Sequence, residues 1–293
     1  MEFDDIRTFV SVAETGSVSQ AARQLFLTQP AVTRRLQRLE TALGSTLVDR
    51  RRRPFTLTAT GQGVLAECHR VLNSVREVHA AVSRDGAPSG ELTIGVAHAL
   101  TEIALTEPLD NVRKKFPRVD FGLVTGWSRQ LLERVRSGSL DAAVILMPDE
   151  NKDPSDVKSV ALGKERLVVV AAKRMRVPRR TPADLRRADW ILNPEGCGAR
   201  AALERALQRA NVEMHVALET YNYDLQLSLV ARNRGLSLVP SRILKRSGLR
   251  SRLRELRIRD LEFPLTIWSV RGQLSGNLDS VIEELNQRLI QRL

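Results

Sequence analysis

The chain has 293 residues, 42% of them hydrophobic and 27% charged, which is the composition of an ordinary globular protein with room for two or three domains. Its net charge of +12 points to nucleic acid, an anionic ligand or an acidic membrane surface as partner. No apolar run approaches the roughly 18 residues that span a bilayer, and two cysteines, Cys68 and Cys197, exclude a disulfide framework and fit a reducing cytosol.

The first residues, MEFDDIRTFVSVAETG, are acidic and lack the basic-then-apolar layout of a signal peptide. A cytoplasmic protein with no membrane partner is the expectation. Residues 1–90 carry 12 Arg against 9 acids, a net of +3. Global charge therefore does not locate a nucleic-acid site; a local cluster must.

Phe3, Ile6, Phe9, Val10 and Ala13 recur at helical spacing, so residues 2–15 form an amphipathic helix ended by Gly16. Ser17 with Gln20 makes a capping-box pair for a second helix to about Leu25. Thr28 caps a third, with Pro30 in its first turn and Val32, Leu36, Leu39 and Leu43 buried. Only Phe26 and Leu27 separate the second helix from the third, the layout of a helix-turn-helix. In that motif the start of the later helix reads base edges in the major groove. Gln29, Thr33, Arg34, Gln37 and Arg38 then face outward, with Pro30 and Ala31 placed to touch thymine methyls.

Gly44 closes the third helix, and residues 47–58 read as a short two-stranded wing. Arg50, Arg51, Arg52 and Arg53 at its tip would lie along phosphates or enter a minor groove. Across residues 17–60, Arg23, Arg34, Arg35, Arg38 and the four wing arginines meet only Glu40 and Asp49. A solvated surface with a chance charge run is the alternative to a DNA-binding face.

Residues 60–85 hold Val64, Cys68, Val71, Val75, Val78 and Val82 at 4-3-4-3-4 spacing, the seam of a two-stranded coiled coil. Leu65, Leu72 and His79 form a neighbouring stripe for the first helix. The pattern predicts a homodimer meeting two half-sites of a near-palindrome. Cys68 reads as a small buried hydrophobe on that seam.

Residues 85–90 (DGAPSG) are a turn-rich linker. Beyond it, strands at 91–96, 119–125, 140–147, 166–172, 190–192, 216–220, 235–240 and 265–270 alternate with helices at 100–115, 128–136, 199–210, 223–233 and 275–292. That alternation predicts a parallel sheet.

The opening stretch resembles the N-terminal domain of LysR-type transcriptional regulators. The matching residues include Phe9, Gly16-Ser17, Ala21-Ala22, Leu25, Thr28 through Arg34, Leu39-Glu40, Leu43-Gly44, Leu47, Arg50, Leu57-Thr58 and Gly61. The fragments LTIGV, GSLDAAVI, RLVVVAA and RGLSLVP extend the resemblance through the chain. It implies an all-α N-terminal part with a winged helix-turn-helix at 1–59, a dimerisation helix at 60–85 and a hinge at 86–90. A two-lobed α/β, periplasmic-binding-protein-like (type II) effector domain then fills 91–293. Lobe I is expected at 91–162 plus 267–293, lobe II at 163–266, joined by two crossover strands. Val48 stands where relatives have a phenylalanine, an apolar exchange.

The resemblance also implies double-stranded promoter DNA, a small and in one reading anionic effector, and RNA polymerase as partners, and a dimer or tetramer as assembly. Ligands of open α/β sheets bind beyond the carboxyl ends of strands. The expected effector positions are therefore His98, Thr101, Trp127, Ser128 and Met147 in lobe I, with Pro194, Gly196, Cys197, Thr220 and Tyr221 in lobe II. Ala99 replaces a serine common in relatives, leaving Thr101 or His98 to supply polarity there.

No HExxH, GxSxG or phosphate-loop pattern occurs, and His69, His79, His98 and His215 make no metal-spaced cluster. No cofactor, metal or catalytic residue is expected. The alternatives are a redox regulator acting through Cys197, an enzyme built on the α/β part, and a transport-type solute binder. A basic stretch at 242–259 reads as a solvated face or as a surface for DNA or the transcription machinery.

Overall fold

The computed structural model describes residues 1–49, 55–81, 86–104, 107–149, 154–176, 181–259, 261–272 and 278–293. Three helices come first: α1 (Phe3–Thr15), α2 (Val18–Gln24) and α3 (Gln29–Leu43). Gly16 and Gly44 end α1 and α3 in the left-handed region, at φ of 61° and 63°. Thr28 caps α3, its hydroxyl accepting from the Ala31 amide at 3.4 Å. Strands β1 (Val48–Asp49) and β2 (Thr56–Leu57) pair antiparallel as the base of the wing. The long helix α4 (Ala59–Ala81) follows.

The first core gathers Phe9, Ala21, Val32, Leu36, Leu39 and Leu47, with Cys68 of α4 among them. This corrects the seam. Cys68 is buried against its own DNA-binding unit, and Val64, Leu65 and Leu72 pack on the same cluster. The 4-3-4 spacing thus serves two partners in turn. Only its later part stays open, with Val71 43% and Val78 69% exposed. Val75 is half-buried, and Val82 lies outside the described residues.

After the linker come β3 (Gly90–Ala97), a 3-10 turn at 98–100, α5 (Thr101–Ala104), α6 (Glu107–Lys115), β4 (Val119–Gly126), α7 (Ser128–Arg136) and β5 (Ala142–Pro148). The expected single helix over 100–115 is therefore several pieces. Pro108 stands in the first turn of α6, where its missing N–H leaves no gap in the hydrogen bonding.

Next are β6 (Lys158–Ala172), β7 (Asp189–Leu192), α8 (Gly198–Arg209), β8 (His215–Glu219), α9 (Tyr223–Ala231), β9 (Ser237–Pro240), α10 (Ser241–Arg246), β10 (Leu253–Leu256), β11 (Phe263–Arg271) and α11 (Leu278–Ile290). The main sheet has seven strands and is mixed, not parallel. β3 pairs parallel with β4 and β5. β11 runs antiparallel to both β5 and β6, and β9 and β10 are antiparallel to β6. β7 and β8 form a parallel pair bridged to the start of β9 at Trp190–Leu236.

β6 and β11 carry the architecture. β6 is 15 residues long, where the sequence pattern predicts strand only over 166–172. Its first part lies beside β11 and belongs to one apolar cluster; its end lies in others. One cluster takes residues between Leu92 and Leu162 together with residues between Ile267 and Leu289. A second surrounds Trp190 and runs from Leu167 to Leu265, and a third sits behind Val168 and Val170 under α9 and α10. The two lobes therefore meet at the antiparallel β6–β11 pair, whose register breaks between Ile267 and Trp268. Among the described residues no helix is long and apolar enough to cross a membrane.

Candidate DNA interface and effector cleft

The charges of α3 divide between two faces. Arg38 grips Asp5 of α1 with Nε at 3.0 and 2.9 Å and Nη2 at 2.6 Å, and reaches Glu2 at 2.9 Å. Arg35 pairs with Asp4 at 2.8 Å. Asp5 is wholly buried, and it also accepts the Glu2 amide at 2.8 Å, closing a capping box at the start of α1. Burial raises its carboxyl, but hydrogen bonds from Arg38 and the Glu2 amide outweigh this and hold it below the usual range. Glu40 points elsewhere and takes the Leu47 and Val48 amides at 2.9 and 3.3 Å, fixing the first wing strand.

Arg38 is thus a clamp between α1 and α3, not an outward-facing base reader. The acids that answer Arg35 and Arg38 lie on α1, outside the stretch from 17 to 60. With about 3.6 residues per turn, Gln29, Pro30, Thr33 and Gln37 turn away from that clamp, while Arg34, one turn before Arg38, lies at its edge. Gln29, Pro30 and Arg34 are exposed, and Ala31 and Thr33 half-buried. Phe26, between α2 and α3, is 96% exposed at a φ of 54°, while Leu27 packs inward. Spacing marks both only as the turn. Arg50, Arg51, Arg52 and Arg53 lie outside the described residues.

The expected effector positions converge only in part. His98, Trp127 and Tyr221 come from three different loops and touch. Trp127 and Tyr221 stack across the lobes at 5.6 Å between centroids and 25° between planes. His98 meets Trp127 edge-on at 4.9 Å and Tyr221 at 5.7 Å. Burial lowers the His98 pKa, which favours the neutral imidazole. Gly196 sits beside the same rings: a methyl there would lie 3.4 Å from Cδ1 and Nε1 of Trp127.

The hydroxyls expected to face ligand each hold one hydrogen bond to the backbone. Ser128 Oγ accepts the Leu146 amide at 3.0 Å, and Thr101 donates to the His98 carbonyl at 3.0 Å. Thr220 Oγ1 accepts the Asn222 amide at 3.1 Å, and its carbonyl receives Asn193 and Gln226 side chains at 3.1 and 2.9 Å. These bonds shape the loops that carry the rings. Met147 packs on the lobe I cluster, and the Pro194 carbonyl closes a turn onto the Cys197 amide at 3.3 Å.

Cys197 is buried, and burial pushes its thiol up despite the nearby amides of Arg200 and Ala199. Burial likewise pushes Cys68 to about 11. The thiolate is the reactive form, so both environments favour packing over thiol chemistry. Among the described residues no three His, Cys, Asp or Glu gather as a metal site.

A cavity of about 480 Å³ opens beside the rings, walled by His98 and Thr101 from lobe I and by Tyr221, Asp224, Arg242 and Arg246 from lobe II. Sequence reasoning places the two arginines only in a basic surface stretch. Their signal is the strand that stops at Pro240: the rule applied to the other strand ends reaches them too. Arg242 is held by Glu165 at 2.7 Å. For Arg246 no ion pair is found among the described residues.

The same lobe I helix touches the DNA-binding side. α7 begins beside Trp127, and the turn at its other end presents the Gly138 carbonyl to Asn73 of α4 at 3.1 Å. His69 of α4 lies 3.8 Å from Glu14 at the end of α1.

Residues 3–62 match the family model of the bacterial regulatory helix-turn-helix protein, lysR family, and residues 85–289 match the LysR substrate binding domain. The regulator CzcR of Bacillus thuringiensis is 33% identical over 241 residues, 82% of this chain and 78% of its own length. GltR of Bacillus subtilis is 29% identical over 89% of this chain and 86% of its own. A full-length OxyR variant of Pseudomonas aeruginosa superposes with a TM-score of 0.72 at 18% identity, covering 100% of this chain and 99% of that one. CbnR in complex with its target DNA gives a TM-score of 0.58 at 20% identity, with all of each chain covered.

Proposed function

The chain belongs to the LysR family of DNA-binding transcriptional regulators, and from that premise we propose that it reads a dyad-symmetric operator with α3 and answers a small molecule held between its lobes. The observation that carries the first part is the division of charge on α3. Arg35 and Arg38 are tied to α1, which leaves Gln29, Pro30, Ala31, Thr33 and Arg34 at the start of the helix to meet bases. Arg50, Arg51, Arg52 and Arg53 supply phosphate grip on this reading. The protein acts in the cytoplasm, as a binding protein with no catalytic step.

Arg34→Ala tests it. Loss of one base-reading arginine weakens specific binding by about 1–3 kcal/mol, or roughly 5- to 150-fold. Gel-shift titration against a promoter fragment retained by the wild-type chain measures this, with circular dichroism unchanged. Equal affinity for wild type and variant would remove Arg34 from the interface.

Pairing of two chains along α4 would present two copies of α3. Val71 and Val78 are one heptad apart and exposed, an apolar stripe that a second α4 covers. Val71→Lys places a charge in that stripe on each partner. Sedimentation velocity is expected to show the assembly reduced toward monomer, and an unchanged sedimentation coefficient argues against the seam.

The effector reading rests on the interlobe cavity and its convergent rings. α7 gives this cleft a mechanical route to DNA, because one rigid helix joins the Trp127 ring to the Asn73 contact on α4. A ligand that shifts Trp127 moves the element against which α4 rests.

A further inference from the structure

The cleft also carries information about the shape of its ligand. Only 4% of the residues are aromatic, with three Trp and two Tyr in 293. One of those tryptophans and both tyrosines stand at this cleft: Trp127, Tyr221 and Tyr223, with His98 between the lobes. Tyr223 packs on the cluster behind Val168 and Val170, whereas Trp127 and Tyr221 belong to none of the core clusters of the described residues. Tyr221 is 57% exposed, yet it stacks on Trp127 across the gap.

The stack bridges the lobes, one ring from the loop after β4 and the other from the loop after β8. Gly196 sets no side chain against the pyrrole edge of Trp127, where a methyl would lie 3.4 Å from Cδ1 and Nε1. Resting on the effector reading above, we propose that the ligand is a planar aromatic or heteroaromatic anion that inserts between Trp127 and Tyr221. Insertion exchanges one ring–ring contact for two, one on each face of the guest, so a flat molecule gains where a puckered one does not. His98, neutral by burial, borders the guest edge-on. Arg242 is already paired with Glu165, so Arg246 on the same wall is the cation left to meet the guest's charge.

A matched pair of probes separates shape from charge. 2-Naphthoate and trans-decalin-2-carboxylate share a carbon skeleton and a carboxylate, but only the first is flat. Isothermal titration of the full-length chain is expected to show 2-naphthoate binding at least ~10-fold more tightly, a preference of the size that ring stacking supplies. Trp127→Leu and Tyr221→Leu, each with an unchanged far-ultraviolet spectrum, are expected to abolish that preference. Arg246→Gln is expected to weaken the flat probe.

Equal binding of both probes, weakened by Arg246→Gln, overturns the planar class while leaving the cleft as the effector site. Naphthoate binding that neither ring variant changes overturns both, since the probe then sits elsewhere. No binding of either probe at millimolar concentration overturns the assignment of a planar anion.

Discussion

Gly61→Ala is expected to destabilise the DNA-binding unit strongly while the two lobes keep their stability. Gly61 is in the first turn of α4, where the helix crosses the start of the wing. A methyl there would overlap the Leu47 carbonyl oxygen and lie 2.9 Å from its carbon. The obstacle is backbone, so no side chain can turn aside. It is also fixed from several directions. The Leu47 carbonyl accepts the Thr58 amide at 3.0 Å, Thr58 Oγ1 donates to the Thr46 carbonyl at 2.8 Å and accepts the Gly61 amide at 2.9 Å, and Glu40 holds the Leu47 amide. Overpacking of this kind costs about 3 kcal/mol. In a unit of this size each kcal/mol moves the midpoint by about 4–8 °C, so a fall of roughly 12–24 °C is expected in its calorimetric transition. Gly63→Ala is the control. It makes the same chemical change two residues on, where a methyl meets nothing within 4 Å. There alanine only restricts the unfolded chain and favours the helix, and a rise of about 0.5–1 kcal/mol is expected. Equal effects of the two variants would show that the Leu47 contact is not what selects glycine.

The helix-turn-helix was legible because its boundaries are local. Ser17, Thr28, Gly16 and Gly44 each act on amides or carbonyls within a few residues, and each ends or starts a helix where spacing puts it. What spacing could not give was the partner of each face. Arg34 and Arg38 are the same residue type one turn apart, and only the position of Asp5 on α1 separates a clamp from a reader. Cys68 and Val71 sit on one periodic stripe, yet α4 buries the first in its own unit and leaves the second open. The early part of β6 escapes the sequence pattern for another reason. The run KSVALGKE holds only the short apolar stretch Val160-Ala161-Leu162, since the strand there is paired along one edge, with β11, and lies partly in solvent. The cleft shows the same limit: strand ends locate the loops, but not that Ser128, Thr101 and Thr220 each hold one hydroxyl hydrogen bond to the backbone beside the stacked aromatic faces.

Arg242→Met is expected to destabilise lobe II by about 3 kcal/mol, and to do so most at neutral pH. Glu165 lies on β6 with its side chain 2% exposed, and Arg242, 14% exposed, donates to it at 2.7 Å. Ser241 Oγ and the Arg166 amide donate to its other oxygen at 2.7 and 2.8 Å. Burial alone raises this carboxyl, but the hydrogen bonds and the guanidinium outweigh it and hold the net value below the ordinary 4.5. In the wild type, then, the paired carboxylate contributes stability that is complete above the unfolded value and is lost as pH falls through the lower folded one. Without Arg242 the buried charge keeps its two hydrogen-bond donors and only the more distant charge of Arg166, and burial is then expected to lift its pKa above the unfolded value. The variant then gains on acidification, because protonation relieves the unpaired charge. The difference in Tm between wild type and variant should therefore narrow from pH 7.5 to pH 5. Glu165→Gln placed in the Arg242→Met background should recover most of the loss, since the amide oxygen still accepts from Ser241 and Arg166 without a charge. A gap that stays constant with pH, or a double variant no better than the single, would mean that Arg242 supports the lobe through its packing and not through the carboxylate it covers.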